Sequence, residues 1–292
     1  MFLANKTIKN KVGNINNHID FKSGKVLKTF ALDRKGNFDR ELSFYKMCKN
    51  NSIDQVPNLI DYSYEKQEIV ITYLPGEHPQ YISKKVLLQV SEFLSVLNKD
   101  SDSKKLPDAA EAILTKDCLT NHLTNRLKQI GNEGEYHPQG LANAVDDIIN
   151  VLENKLIDIG RIVINPSDLG LHNMIYQNGK ITFYDFEYSG KDSYLKLLID
   201  FCLHPMNKIN FTDFEIYNAI FSEALNTKPL VISNTIIQAF CLWWVMRLIN
   251  SVKAAVMKDR INKGLIHKHN MNKYLEERFQ QIEIFWNHAQ SF

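Results

Sequence analysis

The sequence has few cysteines and no segment typical of a secreted or membrane protein. Four cysteines are present, and no two of them form a CxxC pair: Cys48, Cys118, Cys202 and Cys241. Their wide spacing fits buried thiols in a reducing compartment better than a disulfide framework or a zinc site. The first ten residues lack the continuous apolar core of a secretory signal. The most apolar short run, 239–249, is well below the ~20 residues of a membrane span and contains Arg247, so we expect a cytoplasmic protein without membrane insertion.

The sequence also lacks an excess of charge of either sign. Lysine and arginine number 35 against 33 acidic residues, a formal net charge of +2, and the basic residues form no tract. This balance argues against a nucleic-acid partner or an acidic membrane surface. No GxSxG segment is present, which leaves a serine-hydrolase triad without support. With 292 residues, 44% hydrophobic and 23% charged, the composition is that of a globular protein of one large domain or two lobes.

A predicted β-hairpin carries the residues with the most chemical content. Asp168 is followed five residues later by Asn173, and Asp185 comes directly after the next apolar run. Asn178 and Gly179 separate two apolar runs, which is a strong signal for a tight hairpin. Such a hairpin brings Asn173 back beside Asp185. Three oxygen-bearing side chains then converge on one edge of a cleft, which suits a hard divalent cation and a reacting hydroxyl.

The pattern PSDLGLHN, followed by FYDFEYSGKD and IDF, resembles bacterial members of the aminoglycoside/choline phosphotransferase superfamily, which have a kinase-like fold. The resemblance implies that Asp168 receives or orients an acceptor hydroxyl, and that Asn173 and Asp185 hold Mg²⁺ on the phosphates of ATP. The family more often has histidine at the position of Pro166, so proline rigidity presents the aspartate here. Glu187 stands where protein kinases have glycine, and it is either a second magnesium ligand or a strand-end carboxylate.

A strand lysine and a helix glutamate form the predicted phosphate anchor. Lys28 alternates with apolar neighbours, as in a half-buried strand. A helix is predicted to follow at 37–48, and it places Glu41 on the same face as Tyr45. In the kinase-like fold such a pair holds the α- and β-phosphates of ATP. Asp39 competes with Glu41 for this role, but the Arg-Glu-xxx-Tyr spacing resembles the family pattern at Glu41.

Two further segments are expected to contact the nucleotide. A small polar turn precedes the lysine strand, and its backbone N–H groups can point at phosphates. The resemblance assigns this turn to the phosphate loop of choline-kinase-like proteins, although the glycine-rich fingerprint of protein kinases is absent. At the end of strand 68–73, the family places the adenine edge against hinge backbone. These two segments assign the following residues to the cofactor: Gly13, Asn14, Asn16, Asn17, Tyr73 and Leu74.

The spacing of apolar residues predicts strands first and helices afterwards. Alternating runs in the first quarter of the chain indicate a small antiparallel sheet, and Leu74-Pro75-Gly76 breaks its last strand. Helices are predicted at 83–98, 109–130, 141–157, 192–201, 213–225, 233–256 and 272–288. With the family resemblance, we expect a two-lobed α+β protein-kinase-like fold. Its N-terminal nucleotide-binding lobe is 1–75, and its C-terminal catalytic and acceptor-binding lobe is 76–292.

Several downstream residues have two interpretations. The resemblance makes Asp200 the helix aspartate that hydrogen-bonds the catalytic loop from beneath; otherwise it is a solvated carboxylate. Trp243, Trp244 and Arg247 fall on a helix resembling the aromatic-rich helix that lines acceptor sites in the superfamily, where rings can cage a quaternary amine. Packing in the core is the alternative. The same tract has Arg247 and Lys253 but no acid, which disfavours a polycationic aminoglycoside and slightly favours a neutral or anionic sugar-like acceptor.

The expected function is ATP-dependent transfer of the γ-phosphoryl group to a hydroxyl of a sugar, amino alcohol or related small acceptor, with ATP and Mg²⁺ as cofactors. Two alternatives stay open. One is a catalytically inactive, nucleotide-binding pseudokinase scaffold, and the other is an aminoglycoside-modifying phosphotransferase. A protein kinase is disfavoured because no APE-type segment follows Asp185. No protein partner is implied.

Overall fold

The computed structural model describes six stretches of the chain. They are residues 17–32, 35–99, 105–131, 137–210, 213–262 and 268–292. The predicted phosphate-loop residues Gly13, Asn14 and Asn16 lie outside the described residues.

A four-stranded antiparallel sheet and one helix form the N-terminal part. They are β1 (Asn17–Lys22), β2 (Lys25–Phe30), α1 (Lys35–Asn50), β3 (Leu59–Ser63) and β4 (Glu68–Thr72), with strand order β1-β2-β4-β3. Ser23 and Gly24 both have positive φ, 47° and 76°, as a two-residue type I′ hairpin turn requires. This turn places Lys28 in a central strand, opposite Ile19 on β1 and Ile69 on β4.

The rest of the described chain is mainly helical. The helices are α2 (Lys84–Leu97), α3 (Lys116–Ile130), α4 (Leu141–Glu153), α5 (Tyr194–Leu203), α6 (Phe214–Ala224), α7 (Asn234–Val252), α8 (Ala254–Asn262) and α9 (Met271–Gln290). Helix α2 begins after Ser83, whose Oγ accepts a hydrogen bond from the Val86 N–H at 3.2 Å, as a helix N-cap does. The two-lobed α+β fold expected from the sequence is confirmed.

Two small sheets lie between α4 and α5. Strands β5 (Ile162–Asn165) and β8 (Gly190–Ser193) form one antiparallel pair, and β6 (Met174–Gln177) and β7 (Lys180–Phe183) form the other. The β6–β7 turn is Asn178-Gly179, with φ of 49° and 86°, so the predicted hairpin is confirmed. Strand β8 was not predicted, because its sequence, GKDS, has no apolar alternation.

Three predicted helices differ from the structure by several residues at one end. Helix α4 ends at residue 153 rather than 157. Helix α3 begins at residue 116 rather than 109, because the preceding segment bonds β8. The Ala109 N–H donates to the Lys191 carbonyl at 2.9 Å, and the Ile113 N–H donates to Asp192 Oδ1 at 2.8 Å. The predicted helix 233–256 is interrupted at Lys253, whose ψ of 139° is not helical, and it becomes α7 and α8.

Helix α7 is long and apolar enough to cross a membrane by length and composition alone. Among the described helices it is the one that passes this test, with a mean hydropathy of 1.3, and 61% of the apolar window is buried inside the structure. It packs against α3, α4 and α9. Its place in the core of the helical part accounts for its apolar sequence.

Gly76 marks the place where the chain leaves the N-terminal sheet and passes the β6–β7 hairpin. Its φ is +136°, and a Cβ there would lie 2.6 Å from the Tyr176 carbonyl oxygen, closer than real contacts allow. Beside it, Glu77 and Tyr176 exchange backbone hydrogen bonds of 3.2 and 2.7 Å. The segment after β4 therefore lies directly against the hairpin that carries the candidate catalytic residues.

Candidate active site

A buried lysine surrounded by carboxylates forms the first part of the site. Lys28 on β2 is 4% exposed, and its Nζ lies 2.5 Å from Glu41 Oε2 on α1 and 3.9 Å from Glu187 Oε2. The same Nζ bonds Asp185 Oδ1. The structure thus brings Lys28, Glu41 and Asp185 together, and the lysine contact goes to Glu41 rather than to Asp39.

The charges in this cluster are unequal, since one ammonium faces three carboxylates. Burial raises the pKa of Glu41 and of Asp185, and their like-charged neighbours add to this rise against the opposing effect of Lys28. Burial alone lowers the pKa of Lys28, but Asp185, Glu41 and Glu187 outweigh it, so the net shift is upward. The lysine therefore stays charged, and the raised pKa values of Glu41 and Asp185 indicate that three carboxylates share too little positive charge, which a bound cation can supply.

Asp168 is held by two histidines that lie on different parts of the chain. His204 Nε2, at the end of α5, is 2.8 Å from Asp168 Oδ1, and His172 Nε2 is 3.7 Å from Asp168 Oδ2. The Met206 N–H donates to His204 Nδ1 at 3.2 Å. Because Nδ1 accepts that bond, the proton of the neutral ring lies on Nε2, which donates to Asp168.

These contacts set the charge states around Asp168. Burial acts to raise the pKa of Asp168, but the hydrogen bonds from His172 and His204 outweigh it and hold the pKa well below its ordinary value. Burial lowers the pKa of His204 despite its bond to Asp168, so His204 is neutral at pH 7. Burial acts the same way on His172, but Asp168 outweighs it and raises the pKa. Asp168 is therefore an ionised carboxylate with a weak affinity for protons.

Buried polar side chains anchor the backbone just before Asp168. Asp192 Oδ1 accepts the N–H groups of Ile113 and Ser193, each at 2.8 Å, and its Oδ2 accepts Asn165 Nδ2 at 3.1 Å. Asn165 Oδ1 accepts the Ser167 N–H at 2.8 Å. These bonds hold Ser167 at a φ of 68°, a strained conformation for a residue with a side chain. Burial raises the pKa of Asp192 to about 6.

The interpretation of Asp200 as the residue beneath the loop needs correction. Asp200 forms a buried ion pair with Lys196, one turn earlier on α5, and Asp192 makes the bonds expected of it. Asn207 supplies a second anchor, since its Oδ1 accepts the Leu171 N–H at 3.0 Å and its Nδ2 donates to the Leu169 carbonyl at 3.1 Å.

The hairpin brings Asn173 beside the residues that precede Asp185. The Tyr184 N–H donates to the Asn173 carbonyl at 3.1 Å. Asn173 Nδ2 donates to the Asp168 carbonyl at 3.0 Å, which leaves the amide oxygen as its atom for a cation. Asp185 has a φ of 68°, a conformation with a cost of about 1–3 kcal/mol, and its carboxylate contacts Lys28.

The residues present fit a hard divalent cation. One carboxylate oxygen from each of Glu41, Asp185 and Glu187 lies within 4.8 Å of the others. Asn17 Nδ2 donates to Glu187 Oε2 at 2.7 Å, and Asn17 Oδ1 is buried with no hydrogen-bond partner among the described residues. Carboxylate and amide oxygens are the ligands that Mg²⁺ prefers, and the surplus negative charge favours a cation here.

Solved structures share this fold at low sequence identity. Choline kinase LicA from Streptococcus pneumoniae has a TM-score of 0.62 at 13% identity, covering 97% of this chain and 92% of that one. A choline/ethanolamine kinase family protein from Mesorhizobium loti has a TM-score of 0.60 at 14% identity, covering 96% and 90%. Spectinomycin phosphotransferase APH(9)-Ia, in complex with ADP and spectinomycin, has 0.58 at 15% identity, covering 94% and 90%.

The chain has the kinase-like fold of these solved structures, and the resemblance recognised in the sequence is confirmed at the level of the fold. No protein-family model matches the sequence, and no curated protein matches it.

In this kinase-like fold, the predicted hinge residues follow β4. The Tyr73 N–H already donates to the Gly24 carbonyl at 2.9 Å, which leaves the Tyr73 carbonyl and the Leu74 amide as the backbone groups for an adenine edge. The Tyr73 ring meets the Phe21 ring edge-on, with centroids 6.0 Å apart. Of the predicted phosphate-loop residues, Asn17 is described, and its side chain contacts Glu187.

The sequence interpretation missed four residues of the site. His172 lies within the motif, four residues after Asp168, so its spacing alone could have suggested the contact. His204 and Asp192 reach the site only because α5 and β8 pack against the loop, and no local pattern marks them. Asn207 was missed for the same reason.

The two tryptophans of α7 differ in burial. Trp243 is 4% exposed and stacks on Phe240 at 5.5 Å, so it belongs to the core. Trp244 is only partly buried, and its ring meets the His204 ring edge-on at 5.8 Å. Arg247, also partly buried, lies 5.0 Å from the Trp244 ring centroid. Trp244 and Arg247 therefore lie beside the residue that holds Asp168.

Proposed function

We propose that the protein is an ATP-dependent phosphotransferase that moves the γ-phosphoryl group to a hydroxyl of a small molecule. The observation that carries this proposal is the Lys28 cluster. Lys28 contacts both Glu41 and Asp185, so the N-terminal sheet and the hairpin meet at one ionic site. Asp168 is tied to the same hairpin through Asn173. In a kinase-like fold, phosphoryl transfer needs this combination of a phosphate anchor, metal ligands and a hydroxyl-orienting carboxylate.

In this proposed function, the N-terminal lobe, 1–75, binds the nucleotide, and the C-terminal lobe, 76–292, binds the metal and the acceptor. In the N-terminal lobe, Lys28 steadies the α- and β-phosphates, and Glu41 keeps Lys28 extended and charged. The remaining nucleotide contacts come from Gly13, Asn14, Asn16 and Asn17 at the phosphates and from Tyr73 and Leu74 at the adenine.

The C-terminal lobe supplies the ligands for Mg²⁺ and the acceptor site. Asn173 and Asp185 hold the cation, with Glu187 close enough to be a further ligand. Magnesium, when bound, neutralises phosphate charge as the bond to the leaving oxygen breaks.

Asp168 has the environment of an orienting group rather than of a strong base. Its low pKa means that it accepts the hydroxyl proton only late, when transfer to phosphorus has made that proton acidic. Until then, its carboxylate holds the acceptor oxygen in line with the phosphoryl group. Neutral His204 keeps the carboxylate in place through the 2.8 Å contact.

The proposal is tested by ADP release with a panel of choline, ethanolamine, monosaccharides and aminoglycosides. We expect release that depends on both Mg²⁺ and an acceptor, and a loss on the order of 10²- to 10³-fold or more in Asp168→Asn. Asp61→Asn, on the exposed side of β3, is the matched control and should retain the rate. A genuine turnover that survives Asp168→Asn contradicts the assigned role, and nucleotide binding without any ADP release supports a scaffold instead.

A further inference from the structure

The aromatic rings near Asp168 already have protein cations on their faces. Lys196 Nζ lies 4.9 Å from the Trp243 ring centroid, and the Arg247 guanidinium lies 5.0 Å from that of Trp244. Trp244 also stacks on Phe285, with the two rings 12° from parallel. A cage for a quaternary amine needs open aromatic faces. These two tryptophans therefore do not offer such a cage.

Arg247 is a cation of this region that has no acidic partner among the residues the structure describes. It lines a small open recess between α5 and α7 with Lys196, Asp200, Phe240, Trp243 and Trp244. Among the residues that the structure describes, the Arg247 guanidinium makes no hydrogen bond or ion pair, and its contacts are the rings of Trp244 and Tyr188. A guanidinium has five N–H donors in a planar fork suited to carboxylate and phosphate.

The carboxylates near Arg247 are each engaged by another group. Glu111 pairs with Arg126, Asp200 pairs with Lys196, and Asp168 takes a hydrogen bond from His204. Tyr188 and these three acids raise the pKa of Arg247 against the effect of burial, yet none of the three acids forms an ion pair with it. The guanidinium is therefore held beside the catalytic loop without an ion pair to any carboxylate of the described part of the chain.

We infer that the acceptor of this protein is a hydroxyl compound, such as a sugar or polyol, that carries an anionic oxygen group, and that Arg247 binds this group. The inference rests on the proposed function and names its substrate class. The contacts run from Asp168 to His204, from His204 to Trp244 and from Trp244 to Arg247. The reacting hydroxyl would then lie at Asp168 and the anionic group at Arg247. Carboxylate and phosphate share this chemistry.

The experiment compares related acceptors with and without an anionic oxygen group. Glycerol is paired with glycerate and glycerol 3-phosphate, and glucose with glucuronate and glucose 6-phosphate; ethanolamine and choline are the cationic members. Binding to the full-length protein is measured by calorimetry with Mg²⁺ and a non-hydrolysable ATP analogue at saturation, so that an anionic probe cannot occupy the nucleotide phosphate site. We expect at least one anionic member to bind more tightly than its neutral partner.

The variants then test whether Arg247 is the cause. Arg247→Met should weaken the anionic acceptor on the order of 10- to 100-fold and remove the preference for it over the neutral partner. Arg247→Lys should recover part of the binding for phosphate and less for carboxylate, since a point charge replaces the bidentate fork. Lys155→Gln is the control, because this substitution also removes one positive charge. Lys155 contacts Thr235 at the other end of α7.

The outcomes separate this inference from the proposed function. If every anionic probe binds no better than its neutral partner, or if Arg247→Met leaves the preference intact, the inference is wrong even where ADP release is observed. If the ATP analogue does not bind, the proposed function is contradicted. The same titrations without nucleotide then still decide whether Arg247 holds anionic probes.

Discussion

At the scale of single residues, the state of Asp168 depends on a histidine that the local sequence does not indicate. His204 is neutral because burial lowers its pKa, and the Met206 N–H occupies its Nδ1. The other ring nitrogen, Nε2, therefore carries the proton and donates to Asp168. Hydrogen bonds to the charged form of a carboxylate lower its pKa, so His204 is a positioning residue that keeps Asp168 ionised and oriented.

Replacing His204 should therefore change the pH dependence of the reaction as well as its rate. In His204→Leu, Asp168 loses a donor and its pKa rises, so the acid limb of the kcat/KM profile moves to higher pH. The rate at neutral pH should fall about 10-fold or more, as expected for a lost hydrogen bond to a charged group. Steady-state kinetics across the pH range measure both effects.

Two further variants show whether this shift is specific. His204→Gln keeps an amide donor and should show a smaller shift than His204→Leu. His18→Gln, on the exposed edge strand β1, should leave the profile unchanged. A profile that keeps its acid limb in His204→Leu, with only a lower rate, would mean that the histidine has a purely structural role.

At the scale of secondary-structure elements, the β6–β7 hairpin and the segment after β4 are locked together at Gly76. We expect Gly76→Ala to lower the free energy of unfolding by about 1–3 kcal/mol, because the new Cβ would meet the Tyr176 carbonyl at 2.6 Å. The same change should raise the KM for ATP, since the segment joins the proposed hinge to the hairpin. Urea unfolding and steady-state kinetics provide the two measurements.

Gly140→Ala distinguishes the steric contact with Tyr176 from the backbone strain of a positive φ as the cause of the lost stability. Gly140 also has a positive φ, +83°, but a Cβ there meets nothing within 4 Å. It should therefore show only the backbone strain and leave the KM for ATP unchanged. Equal effects of the two substitutions on stability would show that the contact with the hairpin is not responsible.

The elements that could be predicted are those encoded by neighbouring residues. Asn178-Gly179 fixes the hairpin by itself, because both residues tolerate positive φ. Lys28 and Glu41 lie on a strand and the following helix, and the spacing of apolar residues in the sequence indicates both elements. Strand β8 and the Asp192 anchor could not be predicted in this way. Their burial arises from pairing with β5 and with the segment before α3, which lie far away in sequence, and tertiary contacts override the weak local pattern.

At the scale of the whole molecule, the Lys28 cluster joins the N-terminal sheet to the catalytic hairpin. Lys28 comes from β2, Glu41 from α1, and Asp185 from the segment after β7. Under the proposed function, nucleotide binding at Lys28 would therefore act on the contact between the lobes. Glu41 and Asp185 have raised pKa values in the folded protein and ordinary ones when unfolded. Their contribution to stability is fully present below the unfolded pKa and is lost as the pH rises through the folded pKa.

Magnesium nucleotide should therefore stabilise the protein more at pH 8 than at pH 6, because cation binding competes with protons on these carboxylates. A ligand at 100 times its Kd adds about 2.7 kcal/mol, which thermal unfolding with and without Mg²⁺ and ADP can resolve. ADP gains its last phosphate charge near pH 6, so Asp185→Asn is measured in parallel. The nucleotide titrates equally in both proteins, and only the wild type should gain the part of the increase that comes from Asp185. An equal increase in both would mean that Asp185 is not a ligand of the cation.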